Sequence, residues 1–234
     1  MSSTTDANTD LAATVAALAA RLAEVENKAG MLEDVNAILR LHYTYGYWID
    51  KCMYDRAVDL WAEDGEVTFL SGVYKGKEGV RRLYCTWFGE FFTGGKNGPL
   101  DGFLLDHFQM QPVVTVSPDR QSAKGRFRAL LLGGPHDTCV KKGELPEQFM
   151  EAGVYENEYV RENGVWKIKR LDYVLSWQAE WEKGPCHSMP HLAPATVCYP
   201  ENPLGPDEIL PVKRTLWPQQ HVVPMHYPHP VTGG

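Results

Sequence analysis

The sequence predicts an α+β protein, with helices ahead of a curled antiparallel sheet. Three observations carry this. Apolar residues recur every three or four positions over 11–51 and 79–92, the period of helix faces. From residue 104 to 177 the period changes to two, in four runs separated by turn-forming residues. Residues 182–234 are rich in proline and have no period, so they fit neither a helix nor a central strand and form an extended tail that covers a surface or stays disordered.

The elements follow in order. Leu11, Val15, Leu18, Leu22, Val25, Ala29 and Leu32 are spaced by four and three in an alanine-rich segment, a heptad seam on a strong helix former. Such a helix either pairs with another chain or lies on its own domain. Gly30 marks its expected end or bend, and a second helix is expected over 34–51. In it Tyr43, Tyr47 and Asp50 fall at i, i+4 and i+7 and share one face. A third helix is expected from Tyr54 to Ala62, stopped by Asp64-Gly65. An alternating strand and turn follows over 66–76, then an apolar helix over 79–92 carrying Trp87, then a glycine-rich loop over 93–102. The four strands occupy 104–116, 122–134, 149–163 and 164–177, and the turns at 117–121 and 162–164 pair consecutive strands antiparallel.

Bulk properties narrow the function. A chain of 234 residues holds one sizeable domain with appendages. A formal charge of -7 argues against nucleic acid as a partner, which needs clustered cations. No run is long and apolar enough to span a bilayer, and the first ten residues lack a secretory pattern, so a cytoplasmic protein with no membrane partner is expected. Five scattered cysteines without a CxxC pair fit reduced thiols. Cys186, His187, His191 and Cys198 follow no zinc spacing, so no metal is expected. Nucleotide loops, dinucleotide fingerprints and the GxSxG elbow are missing from the sequence.

Several side chains are candidates for chemistry. His107, at the start of a strand, titrates near neutrality and can shuttle a proton, or it can simply bond a carbonyl. Asp50 can orient that imidazole or act as the base, and otherwise needs a partner at a helix C-terminus. Tyr43 and Tyr47 can donate hydrogen bonds to a developing oxyanion or pack as core. Tyr155 alternates with Gly153 and Tyr159 on a strand face, while Arg126 and Arg128 share a face as anchors for a phenolate or carboxylate, or as exposed cations.

The helix end WIDKCMYDRAVDLWAEDGEVTF, the segment VYKGKEGVRR and the strands VYENEYVRENGVWKIKRLDYVLSW resemble the SnoaL-like group of the nuclear transport factor 2-like superfamily. The resemblance implies a cone, a curved antiparallel sheet around helices with an apolar pocket inside. It divides the chain into an N-terminal helix (1–33), the cone (34–181) and the tail (182–234). Within the superfamily, Asp50 and His107 are similar to the Asp and one histidine of the scytalone dehydratases. Ile49 and Phe69 stand where those enzymes carry tyrosines, and RFRALLLGG offers no second histidine.

Over its whole layout the chain is similar to the cofactor-independent γ-formaldehyde lyases of lignin-derived diarylpropane diols. The implied function is a lyase without cofactor acting on a small aromatic, oxygenated substrate. His107, Asp50, Tyr43 and Tyr47 would be catalytic, Tyr155, Arg126, Arg128, Phe69 and Trp87 substrate contacts, and the assembly a homo-oligomer. The alternatives are a dehydratase or isomerase of polyketide-like or steroid-like rings, and a non-catalytic binding or scaffold module.

Overall fold

A computed structural model describes residues 3–138, 148–188, 190, 192–211 and 214–233, with side chains from residue 11 onward. His191, one of the metal-type residues of the tail, and Cys139 lie outside the described residues. The other four cysteines are free.

The first helix, α1, runs unbroken over Ser3–Asp50, so the expected break at Gly30 does not occur. Gly30 is needed for close approach. A Cβ there would collide with the guanidinium of Arg120, whose Nε donates to the buried carboxylate of Asp34. Arg161 and the Trp166 indole, at 3.2 and 3.0 Å, meet the other Asp34 oxygen. Burial works to raise the pKa of Asp34, but these hydrogen bonds and guanidinium charges outweigh it and hold the carboxyl below its ordinary value.

The face of α1 turned inward carries Asp34, Ile38, His42, Tyr45 and Ile49, all buried. A turn with Cys52 at positive φ separates α1 from α2, Tyr54–Val58. The helix expected to reach Ala62 stops at Val58, because Trp61 is already paired with Ile168 and fully buried. Strand pairing of a large aromatic outweighs the weak helix preference of that segment. Strands β1 (Trp61–Phe69) and β2 (Gly72–Lys75) form a hairpin whose two turn residues, Leu70 and Ser71, take positive φ. Next come α3 (Gly76–Arg81), a π-helical stretch (Arg82–Phe88) and α4 (Gly89–Thr93). The helix expected over 79–92 is there, with a widened middle that turns Tyr84 and Phe88 into the core.

Strands β3 (Phe103–Val116), β4 (Ser122–Pro135), β5 (Phe149–Glu162) and β6 (Val165–Glu180) pair consecutively antiparallel. β6 then pairs parallel with β1, and with a short β7 (Glu208–Ile209) beyond β2 the order is β3-β4-β5-β6-β1-β2-β7. Irregularities at Met110/Val113, Ala152/Gly153 and Glu158/Tyr159 bend the long strands, and the sheet curls round α1 without closing. The concave face and the helices share one core, dominated by Trp61, Tyr84, Phe127, Tyr155 and Tyr159.

The tail is extended along the surface, as expected, and adds a two-residue edge strand, β7 (Glu208–Ile209), on β2. Arg82 bonds Gly205 O and Asp207, Arg214 grips both oxygens of Asp172, and Arg126 reaches Val223 O and Pro224 O. Arg82 of the helical stretch, Arg126 of the sheet and the tail's own Arg214 thus anchor a proline-rich segment that makes few hydrogen bonds with itself.

Candidate active site

Two concavities meet at His107. One is an enclosed space of about 50 Å³, walled by Tyr45, Tyr84, Phe88, Tyr155 and Tyr173 with Glu151 among them. The other is an open cleft of about 470 Å³ between α1 and β3, lined by Tyr43, Tyr47, Asp50, Asp106 and Met110. His107 lines both.

β3 is the sheet's edge strand, so outward-facing backbone groups need partners from elsewhere. Asp50, at the end of α1, accepts the His107 backbone N–H at 2.7 Å, and Gln109 Nε2 donates to the His107 carbonyl at 3.2 Å. Asp50 therefore holds the strand that carries the imidazole through the backbone. Burial raises the pKa of Asp50, the His107 amide lowers it in part, and Asp106 raises it again.

The His107 ring is buried. Its Nε2 lies 3.1 Å from the Tyr155 hydroxyl, and its Nδ1 has no hydrogen-bond partner. Burial depresses its pKa to about 4, so the ring is neutral at ordinary pH. Tyr155 continues the contact to Tyr45, whose hydroxyl is 3.0 Å from that of Tyr84. Burial pushes the Tyr45, Tyr84 and Tyr155 phenols above their ordinary range, which keeps them protonated donors.

Glu151 is the acidic group lining the enclosed space. Burial raises its pKa, and hydrogen bonds from Gln178 at 2.8 Å and Tyr173 at 3.2 Å offset that in part. Tyr173 stands between the two ends of the site, with its ring 6.1 Å from the His107 ring and its hydroxyl on Glu151. A neutral imidazole able to take a proton and a carboxyl inclined to hold one thus share an aromatic enclosure.

A second buried histidine, His42, makes an instructive contrast. Its Nε2 meets Gln109 Oε1 at 2.8 Å, its Nδ1 meets Asn157 at 3.3 Å, and its ring stacks on Phe127 at 3.6 Å. Burial lowers its pKa to about 3. Both nitrogens are satisfied, so His42 is part of the framework, whereas His107 keeps one nitrogen free for a ligand.

The residues singled out in the sequence are distributed between these spaces. Tyr43, Tyr47 and Asp50 do share a helix face, but it borders the open cleft, and Tyr47 is 74% exposed. Tyr155 and Phe69 line the enclosed space. Trp87 packs against Phe69 with ring centres 5.6 Å apart, one layer behind the wall. Arg126 and Arg128 lie on the outer face of β4, where Arg126 pairs with Glu156 and Arg128 with Gln111.

Sequence reasoning misses His42, Tyr45, Tyr84, Glu151 and Tyr173. The phase 38-42-45-49, flanked by Ile38 and Ile49, marks the buried face of α1 and is an available signal. Glu151 lies four residues before Tyr155 on β5, so strict alternation through Gly153 places it on the same face. Among the described residues, no group of three His, Cys, Asp or Glu side chains is placed to hold a metal. No described helix is long and apolar enough to cross a membrane.

A cone of this kind, with a polar cluster inside an aromatic cavity, defines a class of small-molecule pocket proteins. The chain belongs to the SnoaL-like domain family, which matches residues 30–172. Among curated proteins none matches. The fold is shared with a Novosphingobium aromaticivorans protein provisionally named scytalone dehydratase, at 20% identity and TM-score 0.51, covering 71% of this chain and 96% of that one. It is shared also with LinA, at 23% identity and TM-score 0.54, covering 70% and 99%. The type-3 LinA hexachlorocyclohexane dehydrochlorinase of Novosphingobium barchaimii is similar at 23% identity and TM-score 0.51, covering 68% and 97%. At these identities the likeness is one of fold.

Proposed function

We propose that the protein is a cofactor-independent lyase for a small aromatic, oxygenated substrate, removing formaldehyde and water from a lignin-derived diarylpropane diol to give a stilbene. The observation that supports this most is the buried, neutral His107 with an unpartnered Nδ1 in an aromatic enclosure that also holds Glu151. Elimination chemistry is in keeping with two proteins that share the fold, one named as a dehydratase and one as a dehydrochlorinase.

In this scheme Glu151 protonates the benzylic hydroxyl, the carbon–oxygen bond breaks and water leaves a carbocation or quinone methide. His107 Nδ1 takes the proton of the neighbouring primary alcohol. The carbon–carbon bond to that alcohol carbon then breaks, its electron pair forms the stilbene double bond, and formaldehyde departs. The Tyr155–Tyr45–Tyr84 chain donates to a substrate oxygen the one O–H not spent between its phenols, Phe69 forms part of the wall, and Asp50 positions His107. Tyr43 and Tyr47 contribute from the outer cleft as hydroxyl donors on the way in, and Trp87 supports Phe69. Arg126 and Arg128, on the outer face, secure the structure rather than the substrate. The same proposal has the enzyme working in the cytoplasm as a homo-oligomer of helix, cone and tail.

A two-ring substrate needs roughly 300 Å³ or more. It enters only by displacing side chains, and Leu192 of the tail, which lines the enclosure and bonds Gln178 through its amide, belongs to an extended segment that can withdraw without breaking the sheet. The second reading is the dehydration or isomerisation of a polyketide-like or steroid-like ring, in keeping with a fold-sharing protein named for scytalone dehydration, and an enclosure of about 50 Å³ has to open for either substrate. Incubation with diarylpropane diols and a formaldehyde trap separates them. Stilbene with trapped formaldehyde supports the lyase, and a product lighter by water alone supports the dehydratase.

A further inference from the structure

From Leu11 to Ala29 every residue of α1 is exposed, and at 1.5 Å per residue the segment before Gly30 projects about 40 Å from the cone. Leu11, Val15, Leu18, Leu22, Val25 and Leu32 are 57–67% exposed. The heptad places Leu11, Leu18, Val25 and Leu32 at d and Val15, Leu22 and Ala29 at a. The cone meets the opposite side of the helix, since Gly30 and Asp34 are buried while Leu32 and Glu33 between them are exposed. The seam is thus turned away from its own domain, which removes one of the two readings of this helix.

The charges beside the seam choose the partner and its direction. Arg21 and Lys28 occupy successive g positions, and Glu26 and Glu33 the e positions of the heptads that follow them. In a parallel, in-register pair of identical helices, g faces e of the next heptad on the partner, so Arg21 meets Glu26 and Lys28 meets Glu33 across the interface. In an antiparallel pair g faces g and e faces e, which sets cation against cation and acid against acid. Lys28 now bonds Glu24 of its own helix at 2.6 Å, an exposed pair of small energetic consequence that it can exchange for the partner's acid.

We infer that α1 joins copies of this chain in a parallel, in-register coiled coil through residues 11–33. This rests on the homo-oligomer part of the proposal above and adds direction, register and the residues that set them. Sedimentation of the full chain at micromolar concentration is expected to show an oligomer, and Leu18→Glu with Leu22→Glu to give a folded monomer with an unchanged near-ultraviolet spectrum. Leu11→Cys and Val25→Cys, each introduced alone and mildly oxidised, are both expected to form cross-chain disulfides above the wild-type background.

An antiparallel pair brings at most one residue opposite its own copy, so cross-linking at only one site, or at neither, overturns the inference. An oligomer that survives Leu18→Glu with Leu22→Glu overturns it while leaving the homo-oligomer standing on other surfaces. A monomeric wild-type chain overturns both.

Discussion

At the scale of single residues, the site is set by which buried polar atoms are satisfied. His42 has partners on both nitrogens and His107 on one, and this difference is why the proposed function leaves the first to structure and gives the second the chemistry. His107→Gln is expected to lower turnover by about two orders of magnitude or more with the fold retained. Asp50 touches the His107 backbone and not its ring, so Asp50→Asn, which still offers an acceptor, is expected to stay within about tenfold of wild type in kcat. Asp50→Ala removes the acceptor and is expected to cost about ten to a hundredfold. Steady-state kinetics on the accepted substrate decide both. A larger loss in Asp50→Asn would mean that the carboxylate itself moves a proton. Asp50 and His107 were singled out in the sequence by residue type, and the structure brings them together through the His107 backbone rather than its ring. Glu151 was not, because its carboxyl is meaningful only once the curled sheet brings it under Tyr173.

At the scale of elements, α1 shows how one local rule yields to tertiary contact. Glycine within a helix ordinarily marks an end, and substituting alanine ordinarily stabilises by about 1 kcal/mol. Gly30 is packed against Arg120, which Asp34 holds in place, so the helix runs on. Gly30→Ala is expected to give no gain in Tm in the wild-type background, and the ordinary gain in an Arg120→Ala background. Thermal unfolding of the four chains of that cycle tests the coupling. Asp34→Ala leaves Arg120, Arg161 and the Trp166 N–H short of a buried partner, and its expected cost is about 3 kcal/mol or more. The four long strands, β3 to β6, were legible to within about three residues because alternation and turn chemistry are local signals. The start of β1 was not, because Trp61 pairs with Ile168, far along the chain.

At the scale of the whole molecule, the buried imidazoles make stability depend on pH. His42 and His107 have folded-state pKa values of about 3 and about 4, below the unfolded value of about 6.5. The unfolded chain therefore binds more protons below about pH 6.5, and stability present in full above that value falls as the pH drops toward about 4. Denaturant midpoints should hold level from about pH 7.5 to about 6.5 and fall from there to about 4.5, more gently in His107→Gln. The leading helix, the curled antiparallel sheet and the extended tail were legible from periodicity and composition, and the cone from the resemblance to the SnoaL-like group. The place of Leu192 in the cavity wall was not, since nothing in a proline-rich run states which surface it will cover.

The account turns on an imidazole kept neutral by burial inside the aromatic cavity. Nitrogen-15 NMR titration of the His107 ring in the intact protein measures this directly. A midpoint of about 4, with the ring neutral throughout the active pH range, is the predicted result. A midpoint at or above about 6.5 would show a solvated or ion-paired ring and would contradict the assignment of His107 as a buried base.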